Sequence, residues 1–406
     1  MPYFFIFFLI VSFIGIVFCG LLLWNIIRMI DWKPLSKFVF KYRKIIKLLW
    51  YGILVLLPIV AVGTYIVSSN IYHPFLSFVY MLSIWGLGIG GYFLIASILS
   101  WFIGICIVVY TCRTACTPLL WSHILIPFQK TFTYTQKIAV GVPVLLACCI
   151  ITYGTINAQV IRTTHYTLSA SAGKHDIPVS WIGKKIIIYS DTHIGTIRKQ
   201  DFLRRVVSTI NNENPYITIM AGDLIDGPKF PHEYLLPLQN LKATKGNYFI
   251  PGNHEQYSRD SHIGTTIDNY ITRIADDSIV VDGVRIIGLD YNREDISTTR
   301  SKIKLLNQKY PDHIELPTIG VVHDPKNISA LIDNLKPNMT ASGHTHGGQI
   351  WPGTILVKKI YGIFSYGSSY HNANETLHIT TSGVGTAQTP MRIGTKAEIS
   401  VITIVE

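Results

Sequence analysis

The chain has 406 residues, 49% hydrophobic and 12% aromatic, with a formal net charge of +11; the length allows more than one domain, and the apolar fraction calls for a large buried or lipid-facing surface. The charge is uneven, since residues 1–180 hold 12 Lys/Arg against 2 Asp/Glu, leaving 23 against 22 of the totals 35 and 24 for residues 181–406. A nucleic-acid binder carries its excess on a folded soluble face, so no nucleic-acid partner is expected, and six cysteines, all at or before Cys149 and without a CxxC pair, fit neither a zinc site nor a disulfide framework.

In chain order, residues 2–27 carry no charge and, as a helix, exceed the roughly 30 Å of a hydrocarbon core. They lack the basic start and small-residue cleavage site of a signal peptide, so a spanning helix is expected. Three further spans follow, at 48–67, in the long run 75–112 and at 138–157. The long run is expected as one tilted helix, because its "GLGIGG" has no polar groups to satisfy a turn inside lipid. Placing the basic "KPLSKFVFKYRKIIK" (33–47) on the cytoplasmic side of four spans also puts Arg113, Lys130 and Lys137 there, and leaves the uncharged "SSNIYHP" outside. The C-terminal half then emerges on the outer, extracytoplasmic face of the cell membrane. No Asp, Glu or Lys lies within the spans, which favours an anchor over a transport pathway. The expected organisation is a transmembrane region over 1–160, a polar linker with strand-like portions over 161–183 and a soluble domain over 184–406.

The soluble half alternates strand-like and helix-like runs. "KKIIIYS" is a buried strand, "DFLRRVVSTINNEN" an amphipathic helix, "YITIMAG" a strand, "HEYLLPLQNLKA" a helix and "NYFIPG" a strand. "SIVVDGVRIIGLD" is a hairpin about an Asp-Gly turn. "TIGVVH" and "NMTASGH" are strands around the helix "NISALIDNL", and "TLHITTSG" and "AEISVITIV" close the chain. The class is an α/β domain with mixed sheets. "DYNREDISTTRSK" and "WPGTILVKKIYGIFSYGSSYHNA" are expected as loops forming pocket walls.

Polar residues fall repeatedly just past the apolar strands: Asp191 and His193, Asp223, Asn253 and His254, His323, and His344 with His346. The carboxyl ends of strands are where open α/β sheets bind ligands. Imidazole, carboxylate and amide oxygen suit manganese, iron or zinc, and these donors are too many for one tetrahedral ion but enough for two if a carboxylate bridges. Gly222, Gly252 and Gly343 precede donors and would bring them close. Two ions would clamp the attacking and leaving oxygens of an in-line displacement and acidify a water, which makes phosphate-ester hydrolysis the natural chemistry.

Five ordered blocks, DTH at 191–193, GDLID at 222–226, GNHE at 252–255, HDP at 323–325 and GHTH at 343–346, resemble those of the calcineurin-like metallophosphoesterases. "GGQIWP" and "MRIGTKAEISVITI" resemble the branch whose catalytic domains are membrane-tethered or exported. The resemblance implies two mixed β-sheets sandwiched between helices. It implies that Asp191, His193 and His346 bind one divalent ion, that Asn253, His323 and His344 bind the second, and that Asp223 bridges. His254 is then the catalytic acid that meets the phosphate and protonates the leaving oxygen, while Asp226 and Glu255 orient ligands rather than bind ions. Lys326, where this branch more often has an acidic residue, departs from the pattern and touches only substrate contacts. His313, His371 and His378 match no block and are expected to be surface or structural.

The expected function is a membrane-anchored dinuclear phosphoesterase or phosphodiesterase acting on a phosphate ester, possessing the lipid bilayer as a partner and a lipid or cell-envelope substrate within reach. The alternatives are a pyrophosphohydrolase acting on a lipid-linked nucleotide such as a UDP-diacylglucosamine lipid A precursor, and a non-catalytic membrane sensor that keeps the fold.

Overall fold

The computed structural model describes residues 72–114 and 134–406, apart from 228, 259, 292–295 and 372–375, together with scattered positions between 45 and 67. The chain divides into two compact units, one formed by Met1–Val67 with Phe75–Tyr153 and the other by Ser68–Pro74 with Gly154–Glu406.

In the first unit, Pro74–Thr114 is one continuous helix, α1, as the absence of turn chemistry in GLGIGG requires. A second helix, α2, covers Tyr134–Asn157, and its last turn belongs to the second unit. The expected span at 2–27 and most of that at 48–67 lie outside the described residues. Among the described residues, no helix is long and apolar enough to cross a membrane, so the four spans stand as a reading of the sequence.

The second unit holds two six-stranded sheets. The first, in spatial order β1-β14-β2-β4-β6-β7, uses Ile161–Ser169 (β1), Lys185–Tyr189 (β2), Ile217–Ala221 (β4), Asn247–Ile250 (β6), Thr272–Arg273 (β7) and Ala397–Val405 (β14). The second, β12-β13-β11-β10-β9-β8, uses Asp277–Val281 (β8), Val284–Gly288 (β9), Thr318–Val321 (β10), Met339–Ser342 (β11), Gly367–His371 (β12) and Thr376–Thr380 (β13). Ile194–Gly195 (β3) and Ile225–Asp226 (β5) form a two-residue ladder. β2, β4 and β6 are mutually parallel, as are β9, β10, β11 and β13. Each sheet therefore presents several carboxyl ends at one edge.

Both faces of each central strand are covered, which is why KIIIY is apolar without alternation. Ile186 and Ile188 face the space between the sheets with Ile219, Ile250, Val321, Ala341 and Ile379. Ile187 and Tyr189 face the other way, onto Leu203, Val206 and Ile210 of α3 (Gln200–Asn212). The second sheet is backed by Ile303 and Leu306 of one helix and by Leu331 and Ile332 of another. The mixed α/β class is thereby met.

Three expectations are corrected and a fourth is met. Residues 161–183 are not a free linker: β1 pairs along its whole length with β14, and Trp181 is fully buried, its indole N–H donating to Asp282 O at 3.2 Å. Residues 232–243 form a 3₁₀ run over His232–Asn240 rather than an α-helix, because Pro237 has no N–H for an α-helical ladder. The expected wall loops contain helices. Asn253–Tyr257 (α4) and Ile263–Asp268 (α5) are followed by Ile296–Lys309 (α6), Ile328–Leu335 (α7) and Gly353–Tyr361 (α8), and α6 and α8 lie in those two stretches. The hairpin turns at Asp282 and Gly283, both with positive φ (43° and 80°), as a tight Asp-Gly turn demands.

Candidate active site

Every donor picked from the sequence leaves the carboxyl end of a strand. Asp191 and His193 follow β2, Asp223 follows β4, and Asn253 opens α4 after β6. His323 follows β10, while His344 and His346 follow β11. Five of them have left-handed backbones: Asp191 (φ 52°), His193 (49°), Asp223 (56°), His344 (68°) and His346 (50°). Residues with a Cβ occupy that region only where the surroundings hold them there. Here the holding bonds cross between segments: Asp191 N–H donates to Gly222 O (2.9 Å), His193 N–H to Asp223 O (3.1 Å) and Gly343 N–H to His323 O (3.1 Å). Gly222 has φ 90°, and a Cβ there would collide with the His323 ring. At Gly343 a Cβ would sit 2.6 Å from Asp191 Oδ2.

Two groups of inward-facing atoms result. In the first, His193 Nε2 and His346 Nε2 are 3.0 Å apart, and His346 Nε2 is 3.3 Å from Asp191 Oδ1. In the second, His323 Nε2 lies 3.1 Å from Asp223 Oδ2 and 3.3 Å from His344 Nδ1. Within each group the ligand-capable atoms lie within 4.8 Å of one another. Each group takes members from both sheets. Asn253 sits between Gly252 and His254, whose N–H donates to Asp223 Oδ1 at 2.9 Å, and Asn253 Oδ1 is buried without a hydrogen-bond partner. A buried carbonyl oxygen left unpaired carries a cost that a cation would remove.

The outward nitrogens of these rings meet orienting groups. His323 Nδ1–H donates to Ala221 O at 2.8 Å, His193 Nδ1 lies 3.5 Å from Asp226 Oδ2, and His344 Nε2 lies 3.7 Å from Asp324 Oδ2. Contacts of this kind fix the tautomer, so the inward nitrogen offers its lone pair. Burial, then the neighbouring His254, brings the His193 pKa down to about 4. Burial, then His323, does the same for His344, and burial depresses His346 well below its ordinary value. All three are neutral at pH 7, the form that binds a cation. Burial acts against an ionised Asp223, but His323 and His254 outweigh it and hold the carboxyl well below the usual range.

His254 differs. Its Nδ1 lies 2.7 Å from Asp226 Oδ1, and its Nε2 faces the site 3.9 Å from Asp223 Oδ2. Burial opposes its charge, but Asp226 and Asp223 outweigh that and hold its pKa up at about 10. His193, Asp226 and His254 also lie within ligand distance of one another. That grouping is already neutralised internally by the His254–Asp226 ion pair, which leaves His254 a charged proton donor at the mouth of the site. Glu255 accepts from the N–H groups of Gly252 (2.7 Å), Asp223 (3.0 Å) and Ile225 (3.1 Å). It binds the GDLID and GNHE turns together.

Three participants escape a sequence reading. Ser190 donates its hydroxyl to Asp191 Oδ2, and Asp324, inside the HDP block, faces His344. Arg392 is fully buried and spends its N–H groups on the carbonyls of Ser382 (2.7 Å), Gly383 (2.9 Å), Gly385 (2.6 Å) and Lys396 (2.9 Å), with His346 Nδ1 3.5 Å away. The loop it fixes supports the first group, since Gly385 N–H donates to Asp191 O at 2.8 Å. The one sequence signal was an arginine in an otherwise apolar MRIG. Tyr291 and Tyr361 edge the second group, their ring centroids 6.3 and 6.4 Å from that of His344. His378 is buried and bonded to Thr340 and Thr380, a structural role as expected.

Residues 184–348 match the family described as calcineurin-like phosphoesterase, and both donor groups lie within that stretch. Among known proteins, the chain is similar to an uncharacterised metallophosphoesterase of Helicobacter pylori, 31% identical over 223 residues that make up 53% of this chain and 58% of that one. It is also similar to the uncharacterised metallophosphoesterase YkuE of Bacillus subtilis, 29% identical over 267 residues, 61% of this chain and 87% of that one. A transmembrane protein with metallophosphoesterase domain from Bos taurus is 28% identical over 250 residues, 56% of this chain and 54% of that one. The chain thus spans little more than half the length of the Helicobacter and bovine relatives it matches.

Proposed function

We propose that the chain is a membrane-anchored phosphoesterase or phosphodiesterase that works with two divalent cations, manganese, iron or zinc. The observation that carries the reading is the pair of donor groups, each drawing on both sheets with its ligand-capable atoms within 4.8 Å of one another, set beside His254, whose ring is held by Asp226 and is not needed as a ligand. Asp191, His193 and His346 would hold one ion, and Asn253, His323 and His344 the other, with Asp223 shared. Bound ions would supply charge neutralisation for the phosphoryl oxygens and a water acidified to near neutral pKa. The protein's own residues do the rest. His254 holds a proton on the site side and passes it to the departing oxygen, while Asp226 keeps that ring oriented and charged, as the carboxylate of a catalytic triad does for its histidine.

Membrane anchoring is supported by the uncharged runs of the sequence, and four spans, with the run 75–112 counted once, would put the catalytic domain on the extracytoplasmic side. The retained donors and His254 favour catalysis over a sensor that has lost it. The test is metal-dependent release of p-nitrophenol from bis-p-nitrophenyl phosphate and from the monoester by the purified full chain, wild type against His254→Ala. Full activity of the variant on a phosphodiester with an alkyl leaving group, whose oxygen needs a proton, would remove His254 as the acid, and metal-independent release of p-nitrophenol would remove the ions. Reporter fusions at the C-terminus test the side of the membrane, a cytoplasmic signal overturning the four-span arrangement.

A further inference from the structure

Helix α8 contains no buried residue. Ile355, Leu356 and Ile360 are 56–61% exposed, and Trp351 and Ile363 on its flanks are 49% and 59% exposed. Lys358 and Lys359 lie among them, also exposed. An apolar patch of this kind on a folded domain marks a surface meant to be covered, and the mixture of Trp, Ile, Leu and Lys on a short helix is the composition of an element that lies in a membrane interface.

A second observation says what covers it. The last turn of α2, which ends an uncharged run from Ile138 to Asn157, is bonded into the same corner of the domain. Asn157 Nδ2 donates to Arg392 O (3.0 Å) and Thr395 O (2.8 Å), and Arg392 N–H donates to Gly154 O (2.9 Å). The neighbouring Ile393 in turn accepts from Trp351 N–H (2.8 Å) and donates to Gln349 O (2.9 Å). The segment leading into α8 is therefore one strand-width of backbone from the end of the uncharged run 138–157 that the sequence analysis reads as a span. At its other end α8 carries Tyr361, at the edge of the second donor group.

We infer that Trp351 and α8 form the surface by which the catalytic domain lies on an anionic lipid bilayer, with Ile355, Leu356 and Ile360 at the headgroup–acyl boundary and Lys358 and Lys359 against the headgroups. The inference rests on the membrane-anchored reading above and deepens it, because a site edged by an interfacial helix meets phosphate esters carried by lipids ahead of those in free solution.

The test uses the full chain in nanodiscs of phosphatidylglycerol and phosphatidylcholine, with or without bromine on the acyl carbons nearest the headgroup. The emission of Trp351 is isolated as the difference between wild type and Trp351→Phe. For a ring at the interface, bromolipid is expected to reduce that difference about twofold while aqueous iodide leaves it nearly unchanged. Quenching by iodide alone would mean the helix faces water. Quenching by neither would mean that a second copy or another part of this chain covers it, and either result overturns the inference. A second arm compares hydrolysis of soluble bis-p-nitrophenyl phosphate with that of phosphatidyl-p-nitrophenol in phosphatidylglycerol vesicles. Replacing Ile355, Leu356 and Ile360 by serine is expected to lower the vesicle-to-soluble ratio by about tenfold or more, and an unchanged ratio counts against the inference. A wild type inactive on both probes would end the hydrolase reading and leave the quenching result to decide the role of α8.

Discussion

The two sheets bring different chemistry to one rim. Strand ends of the first supply Asp191, His193, Asp223, Asn253 and His254, and so every carboxylate and amide among the candidate donors. Those of the second supply His323, His344 and His346 alone. Neither sheet owns a complete donor group, since His346 crosses to join Asp191 and His193, and Asp223 crosses to join His323 and His344. The site is therefore a property of how the sheets pack. Ile188, Ile250, Val321 and Ala341, at the core between them, set the distance across which the donors meet.

Removing the ions is the strongest way to break this arrangement. Chelation should abolish turnover and lower the melting temperature, because ligands that bind only the folded state stabilise it by about 2.7 kcal/mol at a hundredfold excess over Kd. Differential scanning fluorimetry with chelator, then with manganese restored, measures it; identical melting curves would mean that no ion joins the sheets. Next is His254→Ala, expected to cost about 10²–10⁴-fold in kcat with an alkyl leaving group and much less with p-nitrophenol, which departs without a proton. Metal content should be unchanged, and an equal loss on both substrates would make His254 a binding residue.

A smaller, one-sided effect is expected from Arg392→Lys. Lysine cannot span the carbonyls of Ser382, Gly385 and Lys396 at once, so the first donor group should lose about 10–100-fold in affinity while the second keeps its ion. Metal analysis giving one equivalent in place of two would bear this out, whereas loss of both would tie the groups more closely than their geometry suggests. The smallest effect is a control on β8, at the far edge of the second sheet. Burial opposes ionisation of Asp277, but the Tyr310 hydroxyl, the Ser278 N–H and Lys309 outweigh it and lower its pKa. A carboxyl depressed on folding stabilises above its unfolded pKa of about 3.9, and that contribution fades as pH falls through the lower folded value. Asp277→Asn should flatten the acid limb of stability below about pH 4 by less than about 1 kcal/mol, given its exposure to solvent, with turnover at pH 7 untouched.

How much of this was legible in the sequence follows from the range of the interactions. Apolar runs such as KKIIIYS and YITIMAG, closed by glycine or a polar residue, announced β2 and β4 because both faces of those strands are buried. The donors were legible for the same reason, being the polar residues that end such runs. β1 shows only as strand-like portions of a linker, because IRTTHYTLS is a polar edge strand whose partner, β14, begins at Ala397, more than two hundred residues away. α8 carries no such signal, because its apolar residues face outward, contrary to the pattern of a helix packed on a core. Arg392 and Asp324 acquire their places only when distant segments meet, and no local spacing encodes that.

The left-handed turns at Asp191, His193, Asp223, His344 and His346 set a rule for anyone who would redesign this rim. Exchanging one of these side chains also tests whether the newcomer can tolerate its torsion. Asparagine, which visits that region readily, keeps the path of the chain and alters only the chemistry, whereas a β-branched residue would change both at once. Substitutions here are interpretable only in the first form.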